Sequence, residues 1–339
     1  MNEITQLTGA AFWLPVIFIG LMGLAFFIYA ILDGYDLGVG ILLPKNSEAQ
    51  RDTMIASIGP FWDANETWLV LGVGLMLIAF PAAHSEILFQ LYLPAALMLI
   101  GLILRGVAFD FRAKAPTDQK DMWDKIFKLG SLITSNTQGF MLGSYVMGFE
   151  QTLPAVGFSL LSALGVTAAY SLMGASWLVM KTEGSLQIKA AQWGRKAGWF
   201  TALGIASVSI VNPLIDPSIF AKWFSGSAII LLMLIPLMCA GLFILIDRYF
   251  AQAPLVNDFG NWIPFTASAG IMVLCFVGMA YSFFPYIIPN KLTIWQAASA
   301  SESLQFILYG AVIVLPTIIG YTAFSYSVFR GKATQLRYY

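Results

Sequence analysis

The chain has 339 residues, 58% of them hydrophobic and 11% charged, with a mean hydropathy of +0.77. A typical soluble domain carries about 25% charged residues, so this composition cannot cover a water-soluble globule, and one is excluded. The 18 basic and 18 acidic side chains balance, which also excludes a basic nucleic-acid binder.

In chain order, nine long windows run without charge except for Arg105 and Lys128: 12–32, 67–83, 87–109, 126–149, 153–180, 197–211, 226–246, 262–284 and 303–329. A spanning helix needs about 20 mainly apolar residues. A stretch apolar on every face is a span rather than an amphipathic surface helix. The sixth window is short for that role. The aromatic share of 14% and the 10 Trp fit the same class, since amphipathic rings collect at membrane interfaces. The expectation is an all-α polytopic integral membrane protein of about nine transmembrane helices, a single membrane domain over 1–339. The lengths allow two four-helix bundles, 12–149 and 153–284, plus one additional helix at 303–329. Residues 1–11 lack a basic n-region and the following apolar stretch passes about 20 residues, so the first segment reads as a span, not a cleaved signal peptide.

Orientation follows from the bias of Lys and Arg between loops. With nine spans, one side holds fourteen basic residues, from Lys45 and Arg51 through Lys332 and Arg337; the other holds only Lys222 and Lys291. The bias predicts an outside N-terminus and a cytoplasmic C-terminus.

Three stretches on the predicted cytoplasmic side carry nearly all the unusual chemistry. They are Leu32-Asp-Gly-Tyr-Asp-Leu-Gly-Val-Gly40, Gly59-Pro-Phe-Trp-Asp-Ala-Asn-Glu-Thr-Trp68 and Leu104-Arg-Gly-Val-Ala-Phe-Asp-Phe-Arg112. Asp33 and Asp36 are three apart and share a helical face, and Asp63 and Glu66 repeat the spacing. An ionised Arg at the bilayer centre costs roughly 2.5–3.5 kcal/mol on insertion scales, so Arg105 must snorkel or pair with a carboxylate. Asp63 and Asp36 are the candidate partners, with Asp110 below. Carboxylates beside an Arg in a low-dielectric site suit proton relay, because burial and the cation push their ionisation in opposite directions. A structural reading stands beside this one. Asp33, Asp36 and Asp110 also suit water-touching helix ends, Asp63 suits an N-cap, and Glu66 in a first turn suits the helix dipole. Gly34, Gly38 and Gly40 indicate tight backbone packing or a turn.

The remaining features read as structural. His84, the one histidine, falls in a short outer loop, and a chain with one imidazole is poorly equipped to hold several haems. Cys239 and Cys275 lie in apolar runs as packing filler, and two thiols make no four-ligand zinc site. Thr134-Ser-Asn-Thr-Gln138 is a polar patch suited to interhelical hydrogen bonds or to a ligand pocket. Asn212–Pro217 and Phe284–Pro289 read as Pro-bounded outer loops.

The three acidic and arginine motifs resemble those of subunit II of the cytochrome bd-type quinol oxidases. The likeness continues in Gly174-Ala-Ser-Trp-Leu-Val-Met-Lys-Thr-Glu-Gly184 and from Phe284-Pro-Tyr-Ile-Ile-Pro289 through Leu292-Thr-Ile-Trp-Gln-Ala-Ala-Ser299. Glu66 and Gln296 are more similar to the cyanide-insensitive branch than to the enterobacterial type. The resemblance implies a bacterial inner-membrane complex of two, sometimes three, subunits that oxidises quinol and reduces oxygen to water. Subunit I would hold two b haems, one d haem and the quinol site, and this chain would ligate none; some members hold a structural quinone in this subunit. The resemblance also implies that Asp63 lines a cytoplasmic proton route, with Asp33, Asp36 and Arg105 in the same polar region. Glu66 departs from the Gln of some relatives. The alternative is a proton-coupled secondary transporter, which would show broken helices in corresponding positions of two repeats; a purely structural subunit is the third reading.

Overall fold

A backbone in lipid must satisfy its own N–H and C=O groups, and the helix does so within one segment. The computed structural model describes residues 9–116, 119–215, 217–224, 229–254 and 259–333. Long helices stand at every predicted window: α1 (Ala10–Leu42), α3 (Trp62–Ala79), α4 (Pro81–Lys114), α5 (Lys120–Val146), α6 (Leu153–Lys181), α7 (Gly184–Ile215), α9 (Ile229–Ala251), α10 (Ile263–Phe283) and α12 (Ser301–Val328). Among the described residues, seven helices are long and apolar enough to cross a membrane: α1, α4, α6, α7, α9, α10 and α12. The other two carry polar groups within their length: α3 has Asp63 and Glu66, and α5 has a charged first turn and the Thr134–Gln138 patch. The short elements are α2 (Glu48–Ile58), α8 (Pro217–Phe224), α11 (Ile294–Ala297) and an antiparallel pair, β1 (Tyr286–Ile288) and β2 (Leu292–Thr293).

Several sequence expectations are corrected here. The sixth window is the middle of a 32-residue helix, α7, whose polar first turns had hidden it. Asn212 to Ile215 complete that helix instead of forming a loop, and Asp216 lies outside the described residues. His84 is in the first turn of α4, because Phe80 alone separates α3 from α4 and Pro81 starts the new helix. The Phe284–Pro289 segment supplies β1. With α11 it forms a plug: the Trp295 indole donates to the Phe12 carbonyl at 3.1 Å and the Ser299 N–H to Ala79 O at 2.9 Å.

α1 is the central element, packed on α3, α5 and α6, and α6 in turn packs on α5 and α7. The glycines of the first motif do not make a turn. α1 runs through them to Leu42, and Gly38 lies backbone to backbone against Tyr170 and Gly174 of α6. Cys239 of α9 and Cys275 of α10 face one another as free thiols in the packing between those helices.

One end of the bundle is charged. Asp124 of α5 accepts from Arg51 of α2 at 2.6 Å and from Arg112 of α4 at 2.5 Å, and Arg112 also donates to Asp52 at 2.7 Å. The opposite end is closed by the plug, where Tyr145 donates to the Ile287 carbonyl at 3.0 Å. Outward faces between the ends carry bare apolar side chains such as Phe89, Leu164, Ile230 and Phe306, the surface lipid covers.

The α1–α6 contact has a direct test. A Cβ on Gly38 would strike the Tyr170 carbonyl and the Gly174 backbone, whereas one on Gly74 would meet nothing within 4 Å. Overpacking of this kind costs about 1–3 kcal/mol. Gly38→Ala should therefore lower the thermal melting midpoint, and Gly74→Ala should leave it unchanged. Identical melting of the two variants would refute the close backbone approach.

Candidate functional site

Three helices build the site at the inner part of the charged end. α1 supplies Asp33 and Asp36 from one face, α3 supplies Asn65 and Glu66, and α4 supplies Arg105. Close approach of α5 closes the back, since Gly130 lies against the backbone of Gly101 and Arg105. Arg105 and Asp33 are both 0% exposed, with Nη1 2.5 Å from Asp33 Oδ1. Glu66, 26% exposed, lies 3.2 Å from Nη2 of the same guanidinium. The Trp62 ring stands 6.0 Å from the guanidinium carbon. These pairs are close but not aligned for hydrogen bonding: all three Arg105 nitrogens keep unused donor capacity among the described residues, and Tyr29, one turn before Asp33 on α1, adds its hydroxyl beside that carboxylate.

A hydrogen-bonded network continues from the second acid. The Asn65 amide donates to Asp36 Oδ2 at 2.7 Å and to the Tyr35 hydroxyl at 3.0 Å. The Tyr326 hydroxyl of α12 donates to Asn65 Oδ1 at 3.2 Å and stands 2.5 Å from that of Tyr35. On the other side of α1, Gln138 of α5 donates to the Tyr29 hydroxyl at 2.6 Å and accepts from Tyr170 at 2.7 Å. The polar patch of α5 thus makes interhelical bonds, with Thr167 of α6 donating to Ser135 as well.

The sequence candidates divide into two groups. Asp33, Asp36, Glu66 and Arg105 converge, and Asp63 and Asp110 are exposed. Arg105 does not pair with Asp63, as the sequence had suggested, because the exposed Asp63 points away from the buried face that Asn65 and Glu66 bring to α1 and α4. Nor does Asp63 cap α3. Phe61 holds the cap position without a side-chain bond, and Asp63 is inside the first turn. Glu66 lies beyond that turn, so the dipole explanation offered for it does not hold. Asp63 precedes Glu66 by three residues, about one helical turn.

Sequence reasoning missed Asn65, Tyr35 and Tyr326. Asn65 stood inside a quoted motif, and its signal was an amide one residue before an acid at the mouth of a span. Tyr326 is 261 residues away from Asn65 and left no local signal. The Arg51–Asp124–Arg112 cluster was also missed, though its two arginines are among the basic residues that set the orientation. Among the described residues, no group of three His, Cys, Asp or Glu side chains is arranged to hold a metal.

Comparison with known proteins follows from this geometry. Residues 14–329 match the family described as cytochrome bd terminal oxidase subunit II. The chain is 27% identical to cytochrome bd ubiquinol oxidase subunit 2 of Bacillus subtilis, over 93% of its own length and 95% of that protein. It is 26% identical to cytochrome bd-I ubiquinol oxidase subunit 2 of Escherichia coli K12, over 93% and 94% of the two chains. A chain in the solved structure of bd oxidase from Geobacillus thermodenitrificans superposes with a TM-score of 0.77 at 17% identity, covering 93% of this chain and 98% of that one. That likeness concerns the fold.

The Arg105–Asp33 pair predicts a non-additive mutant series. Removing one partner of a buried ion pair costs about 3–5 kcal/mol, while replacing both by apolar groups is often neutral. Arg105→Leu should sharply reduce melting temperature and yield. Arg105→Leu combined with Asp33→Leu should recover a good part of both. A single variant as stable as the wild type would show that the pair does not hold α1 to α4.

Proposed function

The chain belongs to the cytochrome bd terminal oxidase subunit II family, and from that premise we propose that it is the subunit without haem ligands of a bacterial respiratory quinol:oxygen oxidoreductase, taking up protons for reduction of oxygen to water. The partner, subunit I, supplies two b haems, one d haem and the quinol site in this reading, and a small third subunit and a structural quinone are compatible with it. No redox step is assigned to this chain. Its one imidazole, His84, is half-buried in the first turn of α4, and its cysteines are free thiols between α9 and α10.

The observation that carries the proton reading is the gradient of exposure along one set of acids. Asp63 is exposed, Glu66 is half-buried, and Asp33 and Asp36 are sealed. Protons collected at Asp63, with Asp110 as a second exposed acid on α4, pass to Glu66 and then to the Arg105-linked pair. One guanidinium does not balance three ionised carboxylates in a low dielectric, so the set around Arg105 has room for an added proton. Arg105 stays charged and holds the set in place.

Topology supports the same reading. The end bearing Arg51, Arg112, Lys120 and Lys189 faces the cytoplasm by the positive-inside bias, which places the acids where protons are drawn. With nine spans the N-terminus is outside. The two halves, 12–149 and 153–284, and the last helix, 303–329, then form one membrane domain. A proton-coupled secondary transporter fits less well, because α1 passes unbroken through its glycines and the acids gather in one half of the chain.

Two experiments test this. Asp63→Asn and Glu66→Gln preserve shape and hydrogen bonding but remove a titratable group. Each should cut oxygen uptake steeply, by roughly a hundredfold if the group carries protons, with haem content and assembly unchanged. Asp63→Glu should keep part of the activity. Near-normal turnover in both amide variants would sink the proton route and leave a purely structural subunit. Separately, reporter fusions at Lys120, Lys189 and the C-terminus should read cytoplasmic, and one near Asp216 external. A cytoplasmic signal near Asp216 would break the orientation.

A further inference from the structure

At the charged end, a cavity of about 350 Å³ opens between α6, α12 and the chain entering α10. Its walls include Lys181, Arg330, Lys332, Asn261, Trp177 and Tyr326, and among the described residues no carboxylate lines it. The volume lies in the range of small-ligand sites, about 300–1,000 Å³.

Two of the three cations are held in place. Lys181 is 6% exposed, and its ammonium lies 5.0 Å from the Trp177 ring centre and 5.6 Å from that of Phe61. It donates to the Phe329 carbonyl at 2.8 Å. Beyond α12 the chain reverses at Gly331, whose φ of 104° is open to glycine. This turn brings Lys332 to the Thr182 carbonyl at 3.0 Å and the Ala333 N–H to the Lys181 carbonyl at 2.8 Å.

Capping alone accounts for part of this. Lys181 and Lys332 neutralise carbonyls at the C-terminal ends of α12 and α6, where each helix presents about half a negative charge. Arg330 is left over: it is exposed, lines the same cavity, and makes no hydrogen bond or ion pair among the described residues. Arg330 therefore adds a positive charge to the cavity that neither helix end takes up, with the Asn261 amide beside it as a neutral donor. The adjoining outer face of α12 is apolar, with Phe324, Val328 and Phe329 exposed. A fork of cationic donors above a lipid-facing helix matches a phosphodiester whose acyl chains follow that helix.

We propose that this cavity binds a phosphate oxyanion, presented by the headgroup of an anionic phospholipid whose chains lie along α12. The leaflet this lipid comes from rests on the orientation proposed above, but its binding does not. An opposite result from the reporter fusions would change the leaflet and leave lipid retention as it is.

The test uses the assembled complex, purified in mild detergent as wild type, as Arg330→Gln and as Arg330→Gln/Lys332→Gln. Native mass spectrometry should find one more phosphatidylglycerol retained by the wild type than by the double variant. Added phosphatidylglycerol should raise the melting temperature of the wild type and not of the double variant, and phosphatidylcholine should do neither, as linkage requires of a ligand specific to the folded site. Arg330→Gln, on an exposed side chain, should fall between the two with unchanged haem content. Equal retention and equal melting shifts in all three proteins would overturn the site. Protection of delipidated wild type by millimolar inorganic phosphate, with none by phosphatidylglycerol, would overturn the lipid as its source.

Discussion

The structure turns on one arginine whose charge is entirely withdrawn from water. Moving an ion of this size into a low-dielectric interior costs several kcal/mol even after relaxation, and only close opposite charge offsets it. Arg105 therefore dictates where α1 and α3 sit: α1 must present Asp33 to Nη1 and α3 must present Glu66 to Nη2. The rest of the inner half follows from this constraint. α5 reaches α4 closely enough to seal the guanidinium because Gly101 and Gly130 meet without side chains between them. α6 holds α1 from the other side through Gly38 and Gly174.

The short helix α2 completes this arrangement from outside. Ser47 caps its first turn by accepting from the Gln50 N–H, and Arg51 then reaches both Asp124 and the Lys45 carbonyl. Through Asp124, the link between α1 and α3 is tied to α4 and α5 at the end where the acids open to solvent. The opposite end is closed by apolar packing of the plug on Phe18, Phe80 and Leu304. One end is thus assembled by charge and the other by burial of apolar surface, and the polar column runs inward from the charged end.

Much of this was legible in the sequence, and the failures have identifiable physical causes. Apolar runs locate every long helix, since membrane burial leaves its mark on nearly every residue of a span. The polar flanks of α7 are the exception, because a helix continuing past the apolar zone carries no such mark. Arg105 was identifiable because a charge inside an apolar run needs a reason, and Asp33 and Asp36 because they share a helical face just past the end of the first run. That Asp33 meets the arginine was not legible. Whether Asp63 or Glu66 met the arginine was not legible. The choice depends on the start of α3, and helix phase shifts by about 100° for each residue. Tyr326 could not be found from the chain alone, since nothing local to α12 distinguishes a tyrosine bonded to Asn65 from the exposed Tyr321 or Tyr309.

Two buried arginine–carboxylate clusters in one chain allow a comparison that bears on what each is for. Around Asp124, both carboxylate oxygens accept aligned hydrogen bonds, and Arg51 and Arg112 direct further N–H groups at Lys45 O and Asp52. A network satisfied in this way resists change, because any movement exposes a buried polar group without a partner. Around Arg105 the charges are as close and more deeply buried, yet among the described residues the three guanidinium nitrogens find no aligned acceptor. Buried polar groups in native proteins are nearly always bonded, and the exceptions call for an explanation. A cluster serving only to join helices would gain from being as well satisfied as the one at Asp124. Leftover hydrogen-bonding capacity suits a site that must accommodate a proton arriving and leaving. The difference in hydrogen bonding, more than the presence of acids, sets the Arg105 cluster apart from the one at Asp124 and is what the proposed proton role would use.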